Sequence, residues 1–153
     1  MQVHLTAENG VYNRDTGRTK LIGNVNVISS DGGKLTMDYA EWIADKEEVI
    51  TDSHVVIEHS GIILEGDGAR VLPKQKWAML KNTIKAVDSN GRIITCDGPL
   101  EVDYEKKEAI FSNNVRVTEG ETKLRADKMI AYFNPDTKAI ERIQWVGDVE
   151  VVY

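Results

Sequence analysis

The sequence predicts an all-β domain of about ten antiparallel strands, laid out as about five strand-turn-strand repeats. Three observations predict it. A six-residue segment recurs in phase along the whole chain, turn-forming clusters recur at a matching phase, and apolar side chains alternate with period two around each turn.

The recurring segments are Leu5-Thr6-Ala7-Glu8-Asn9-Gly10, Leu35-Thr36-Met37-Asp38-Tyr39-Ala40, Leu64-Glu65-Gly66-Asp67-Gly68-Ala69, Ile94-Thr95-Cys96-Asp97-Gly98-Pro99 and Leu124-Arg125-Ala126-Asp127-Lys128-Met129. They begin 29 or 30 residues apart, each with Leu or Ile first and an acid fourth. The turns are Asp15-Thr16-Gly17, Asp45-Lys46-Glu47, Pro73-Lys74-Gln75, Glu105-Lys106-Lys107 and Asn134-Pro135-Asp136. A second apolar alternation follows each turn: Leu21, Gly23, Val25 and Val27 in copy one, Val49, Thr51, Ser53, Val55 and Ile57 in copy two. Copies four and five close on Val115-Arg116-Val117 and Val149-Glu150-Val151. Residues 37–48 alone have a composition compatible with helix. The equivalent stretches carry Gly10 and Val11, or Gly66, Gly68 and Pro73, so the strand reading holds for every copy.

The first strand of each copy breaks its own alternation. Leu35, Met37, Ala40 and Trp42 all read as inward, yet the step from 37 to 40 is odd. One extra residue at the acid or just after it restores the face, which is a β-bulge and bends the strand. Such a bend in stacked rungs folds the whole sheet over. Glu8, Asp38, Asp67, Asp97 and Asp127 are then expected to be outward carboxylates that satisfy N–H groups at the bulge. A catalytic pair needs two carboxylates in different environments, which a uniform repeat does not supply.

Composition narrows the function. The chain has 153 residues, 19 basic and 25 acidic, for a net charge of −6, which argues against nucleic acid as partner. No apolar run nears the roughly 18 residues of a membrane span. The lone cysteine, Cys96, sits at a small inward position and reads as a buried thiol. His4, His54 and His59 show no metal spacing, because residues 54 and 59 face opposite sides of a strand. Ser29-Ser30-Asp31-Gly32-Gly33 precedes a strand, not a helix, and reads as a turn, not a phosphate loop. No enzyme, cofactor or metal is expected. Met1-Gln2-Val3-His4-Leu5 already alternates, so the chain reads as starting inside a fold, with any signal peptide or membrane anchor lying outside it.

Gly23-Asn24-Val25-Asn26-Val27, Phe111-Ser112-Asn113-Asn114-Val115-Arg116-Val117, Leu124-Arg125-Ala126-Asp127-Lys128 and Gly147-Asp148-Val149-Glu150-Val151 together resemble the OstA-like family, the LptA and LptC proteins of the lipopolysaccharide export bridge. The resemblance spans a single domain over residues 1–153, more LptC-like over about 1–85 and more LptA-like over about 92–153. It implies a twisted, V-shaped antiparallel β-jellyroll whose apolar groove carries lipopolysaccharide, held by its lipid A acyl chains, from inner to outer membrane. It also implies a periplasmic location, head-to-tail assembly with other Lpt jellyroll domains and contact with an inner-membrane transporter complex. The competing reading is a structural β-repeat spacer or interaction module with a dry core.

On the lipid reading, the groove residues are Leu5, Leu21, Val25, Val27, Leu35, Met37, Trp42, Val55, Ile57, Leu64, Ile84, Val115, Val117, Leu124, Met129 and Trp145. The edge strands that would join neighbouring domains carry Val3, Leu5, Val149 and Val151.

Overall fold

The computed structural model describes residues 2–30, 32–59, 61–134, 136 and 140–153. Three expected features fall partly outside the described residues: Met1 of the first strand, Asp31 of the Gly-rich turn and Pro135 of the last turn. Among the described residues, thirteen strands form one antiparallel sheet. They are β1 (Val3–Thr6), β2 (Asn9–Asn13), β3 (Arg18–Ser29), β4 (Lys34–Ile43), β5 (Glu48–His59), β6 (Ile62–Leu72), β7 (Trp77–Val87), β8 (Ile93–Cys96), β9 (Leu100–Asp103), β10 (Glu108–Glu119), β11 (Thr122–Phe133), β12 (Ile140–Val146) and β13 (Glu150–Val152). The only helical element among the described residues is a 3-10 turn, Pro73–Gln75.

The expected ten rungs are present, and three of them are split. β1 and β2 both pair with β3, β8 and β9 both lie between β7 and β10, and β12 and β13 both pair with β11. Two of the splits, at Ala7-Glu8 and Asp97-Gly98-Pro99, fall on acids of the repeat, and the third, at Gly147-Asp148-Val149, lies opposite Asp127. The ladder is irregular at one common level, and in these three rungs it is interrupted there.

The bulge is real, but its extra residue sits on the neighbouring strand. Leu21 pairs with Ala40 and Val25 with Met37, so Gly23 and Asn24 of β3 face the single Asp38 of β4. Likewise Asn113 and Asn114 of β10 face Asp127 of β11. Both residues of each pair have positive φ, at 82° and 45° for Gly23 and Asn24 and at 71° and 55° for Asn113 and Asn114. Glycine and asparagine are the residues that tolerate this region, so they host the bulge while the acid remains extended.

The bend divides the sheet into two arms. Arm one holds β1, β8, β13 and the adjoining halves of the long strands; arm two holds β2, β9, β12 and the other halves. The driest packing is at the bend, where Val25, Val55 and Val115 are fully buried and Ile84 and Met129 nearly so. Met37 and Ala40 are both buried there too, which accounts for the odd step in the sequence. Burying such side chains stabilises by roughly 1.5–3 kcal/mol each, so the vertex holds the arms together.

Candidate functional site

Away from the vertex the arms separate around a cavity of about 560 Å3. Arm one supplies Val3, Val27, Leu35, Ile57, Leu64 and Ile94; arm two supplies Val71, Ala78, Leu100, Val102, Phe111 and Phe133. The arms do not contribute equivalent rungs. Arm one lines the cavity from β1 to β8, whereas arm two lines it from β6 to β12. Adjacent strands of a twisted sheet are rotated by about 20–25°. Twist of this kind, accumulated over ten rungs, offsets the facing arms, so the cavity runs obliquely. It touches both end rungs, at Val3 on β1 and Ile140 on β12.

Polar lining residues gather at the tips of the arms. Ser29, Ser30, His59, Asp88 and Arg92 lie at turns of arm one, and Lys76 and Tyr104 at turns of arm two. The walls between tip and vertex are apolar. Arg92 is drawn to its own arm: Nη2 lies 3.3 Å from Glu119 Oε2, and Nε lies 3.9 Å from Asp88 Oδ2. The mouth is therefore a mixed polar rim, not a cationic clamp.

The sixteen expected groove residues sort into three groups. Val27, Leu35, Ile57 and Leu64 line the cavity. Val25, Met37, Val55, Ile84, Val115 and Met129 fill the vertex. Val117 is buried, and Leu5, Leu21, Trp42, Leu124 and Trp145 pack half-buried against the core outside this cavity. Sequence reasoning missed most of the arm-two wall. Its signal was present in the period-two pairs Leu100 and Val102, Ala109 and Phe111, and Ala131 and Phe133, each beside a turn.

Comparison with known families bears directly on this architecture. Residues 1–89 match the family described as lipopolysaccharide-assembly, LptC-related. The chain belongs to this LptC-related family. Residues 97–153 match a second family, the LptA/(LptD N-terminal domain) LPS transport proteins. Both are families of non-enzymatic transport proteins. Among solved structures the chain is similar to LptH, described as the LptA-homologous periplasmic component of the lipopolysaccharide transport device from Pseudomonas aeruginosa. That match has 9% identity and a TM-score of 0.37, and covers 99% of this chain and 94% of the other. No curated protein matches the chain.

The acids of this LptC-related chain have a structural part to play at the bend. Glu8, Asp97 and Asp127 each donate a backbone N–H to the carbonyl of a positive-φ residue opposite, namely Gly23 at 2.9 Å, Asn113 at 2.8 Å and Gly147 at 2.9 Å. All five carboxylates are exposed. Where the expected partners were backbone N–H groups, two carboxylates instead take side-chain donors. Asn24 Nδ2 donates to Glu8 Oε1, and His54 Nδ1 lies 2.9 Å from Asp67 Oδ1. A Cβ at Gly23 would meet the end of the Glu8 side chain, which would have to shift to admit it. No group of residues able to hold a metal ion occurs among the described residues. Cys96 is buried at the bend, and burial pushes its thiol up to about 11, which leaves it without nucleophilic thiolate at neutral pH.

His54 lies on the outer surface, between Asp67 and, at 3.4 Å, Glu65. The hydrogen bond to Asp67 raises its pKa, desolvation opposes this, and Glu65 adds to the rise. A raised folded value favours folding below the unfolded pKa of about 6.5, and that contribution is lost as pH climbs through the folded value. The trio is more than half exposed at His54, so screening keeps it small. His54→Ala is expected to lower stability by at most about 1 kcal/mol at pH 5.5, and by less at pH 9. Urea denaturation at the two pH values checks the sign.

Proposed function

We propose that this LptC-related chain is a single β-jellyroll domain, 1–153, that carries lipopolysaccharide from inner to outer membrane by holding lipid A acyl chains in the cavity between its arms, in the periplasm. The observation that carries the reading is the reach of that cavity from one end rung to the other. A pocket that stopped inside the sheet would store a ligand; one that meets both end rungs can pass it on. Its volume of about 560 Å3 is in the range of small-molecule sites. Energetics favour an incompletely closed cleft. Each buried methylene gains about 0.8 kcal/mol, so complete burial of several chains would hold them too tightly for release. Half-buried walls at Ile57 and Leu64 suit partial burial.

Photo-crosslinking residues placed at Ile57 and Leu64 are expected to capture lipopolysaccharide in cells, and one at Val55 in the dry vertex is not. Absence of capture at Ile57 and Leu64, with circular dichroism showing a folded sheet, would remove the reading and favour a dry spacer.

The same reading extends to assembly. The rungs β1–β2 and β12–β13 end the sheet, and each offers an unpaired edge to a neighbouring domain. Val3 and Leu5 lie on one edge, Val149 and Val151 beside the other, with Val149 and Val151 about half exposed. Strand addition between unlike edges is a heterologous contact that propagates and aligns successive cavities into one track. Such a track would end on sister Lpt domains and on an inner-membrane transporter complex. The double variant Val149→Lys/Val151→Lys blunts one edge with exposed charge. It is expected to bind an LptA-type jellyroll at least tenfold more weakly in analytical ultracentrifugation; unchanged binding would exclude this edge as the contact.

A further inference from the structure

The backbone hydrogen bonds of the sheet run from rung to rung along each arm, so at the mouth the arms meet through side chains. One such meeting is prominent. His59 ends β5 at the tip of arm one, and Tyr104 follows β9 at the tip of arm two. Their rings contact edge to face, with centroids 6.4 Å apart and an interplanar angle of 64°. Tyr104 is backed in turn by Phe133, at 5.8 Å and 77°. All three line the cavity.

We propose that His59 and Tyr104, supported by Phe133, form a latch across the mouth of the cleft, and that an apolar guest is exchanged sideways through the mouth when this latch opens. The two sides of the contact belong to different arms. Tyr104 and Phe133 belong to a braced surface: the Tyr104 N–H donates to Lys76 O at 2.9 Å, and the Phe133 N–H donates to Lys107 O at 3.0 Å. His59 lies on arm one, where it pairs with Ile62 of β6. An edge-to-face ring contact rests on burial and on the ring quadrupoles. It separates without breaking a rung-to-rung hydrogen bond, and the bulged bend supplies the place where an arm can swing. Phe133 widens the arm-two side of the contact, so a sideways shift of His59 still meets a ring. The opening of the mouth does not depend on what the cavity carries, whereas the exchange of a guest rests on the lipid reading above.

Two measurements on the full chain separate these. Spin labels at Asn90→Cys and Lys106→Cys, on exposed turns of opposite arms, report mouth width by pulsed electron paramagnetic resonance; buried Cys96 stays unlabelled. A single short distance is expected for the otherwise unaltered chain, with a longer population appearing in Tyr104→Ala. Tyr104→Leu keeps apolar bulk and serves if the alanine variant does not fold. Stopped-flow uptake of the dye 1-N-phenylnaphthylamine is expected to be at least threefold faster in the Tyr104 variant. It should be at least tenfold slower when His59→Cys and Tyr104→Cys are joined by a short bis-maleimide. Unchanged distances in both Tyr104 variants overturn the latch, as does dye uptake indifferent to the crosslink. Distances that respond while no form of the protein takes up dye leave the latch standing and overturn the lipid reading instead.

Discussion

Gly98→Ala is expected to destabilise the protein by about 3–5 kcal/mol, combining backbone strain with overpacking. Gly98 lies in the split between β8 and β9, buried, with φ of 105°. A Cβ there would stand 2.3 Å from the carbonyl oxygen of Lys81 and 3.1 Å from the Asn82 Cα. Those are backbone atoms of β7, which cannot swing aside as a side chain can. Gly98 is also held from the other side: its N–H donates to Ser112 O at 3.0 Å, and its carbonyl accepts from Asn113 Nδ2 at 2.8 Å. The strain cannot be relieved without parting β7 from β9 or β9 from β10. For a chain of this length each kcal/mol is about 2–4 °C in Tm, so thermal unfolding should show a fall of roughly 6–20 °C. Gly23→Ala makes the contrast, because the atom its Cβ meets first is the end of the Glu8 side chain, which can move. A loss at Gly98 no larger than the loss at Gly23 would mean that the vertex relaxes freely.

Ile84→Ala and Ile57→Ala should separate stability from function. Ile84 is 2% exposed and packed at the vertex, so truncation leaves a closed void and is expected to cost about 2–5 kcal/mol. Ile57 is half-buried and already borders open space, so the same truncation should cost less than about 2 kcal/mol. Guest binding should follow the reverse order. Ile57→Asp puts a charge on the apolar wall and is expected to weaken dye or lipid binding at least tenfold, whereas Ile84→Ala, if folded, should bind nearly as the parent does. Urea midpoints and dye titration on the same samples decide the matter. Equal losses of stability at the two sites would show that the wall is packed as tightly as the vertex, as a dry-core spacer requires.

The all-β class, the ten rungs, their turns and the common bend were determined by the sequence itself. The reason is that they rest on local rules: period-two burial, turn chemistry at Asp15-Thr16-Gly17 or Pro73-Lys74-Gln75, and the odd step from Met37 to Ala40 are all legible within a dozen residues. The inward direction of the vertex row Val25, Val55, Val115 and Met129 was legible for the same reason. Three things were decided only by the tertiary structure. One is that the extra residue of the bulges opposite Asp38 and Asp127 sits on Gly23-Asn24 and on Asn113-Asn114, not on the acid, since a bulge is a mismatch between two strands and neither sequence alone says which is longer. Another is the division of inward residues between closed vertex and open cavity, which depends on how far the arms splay. The last is the oblique course of the cavity, which joins Leu35 of β4 to Phe133 of β11 in one lining although nearly a hundred residues separate them. Alternation assigns a face to each residue, but the twist summed over the whole sheet assigns its opposite number.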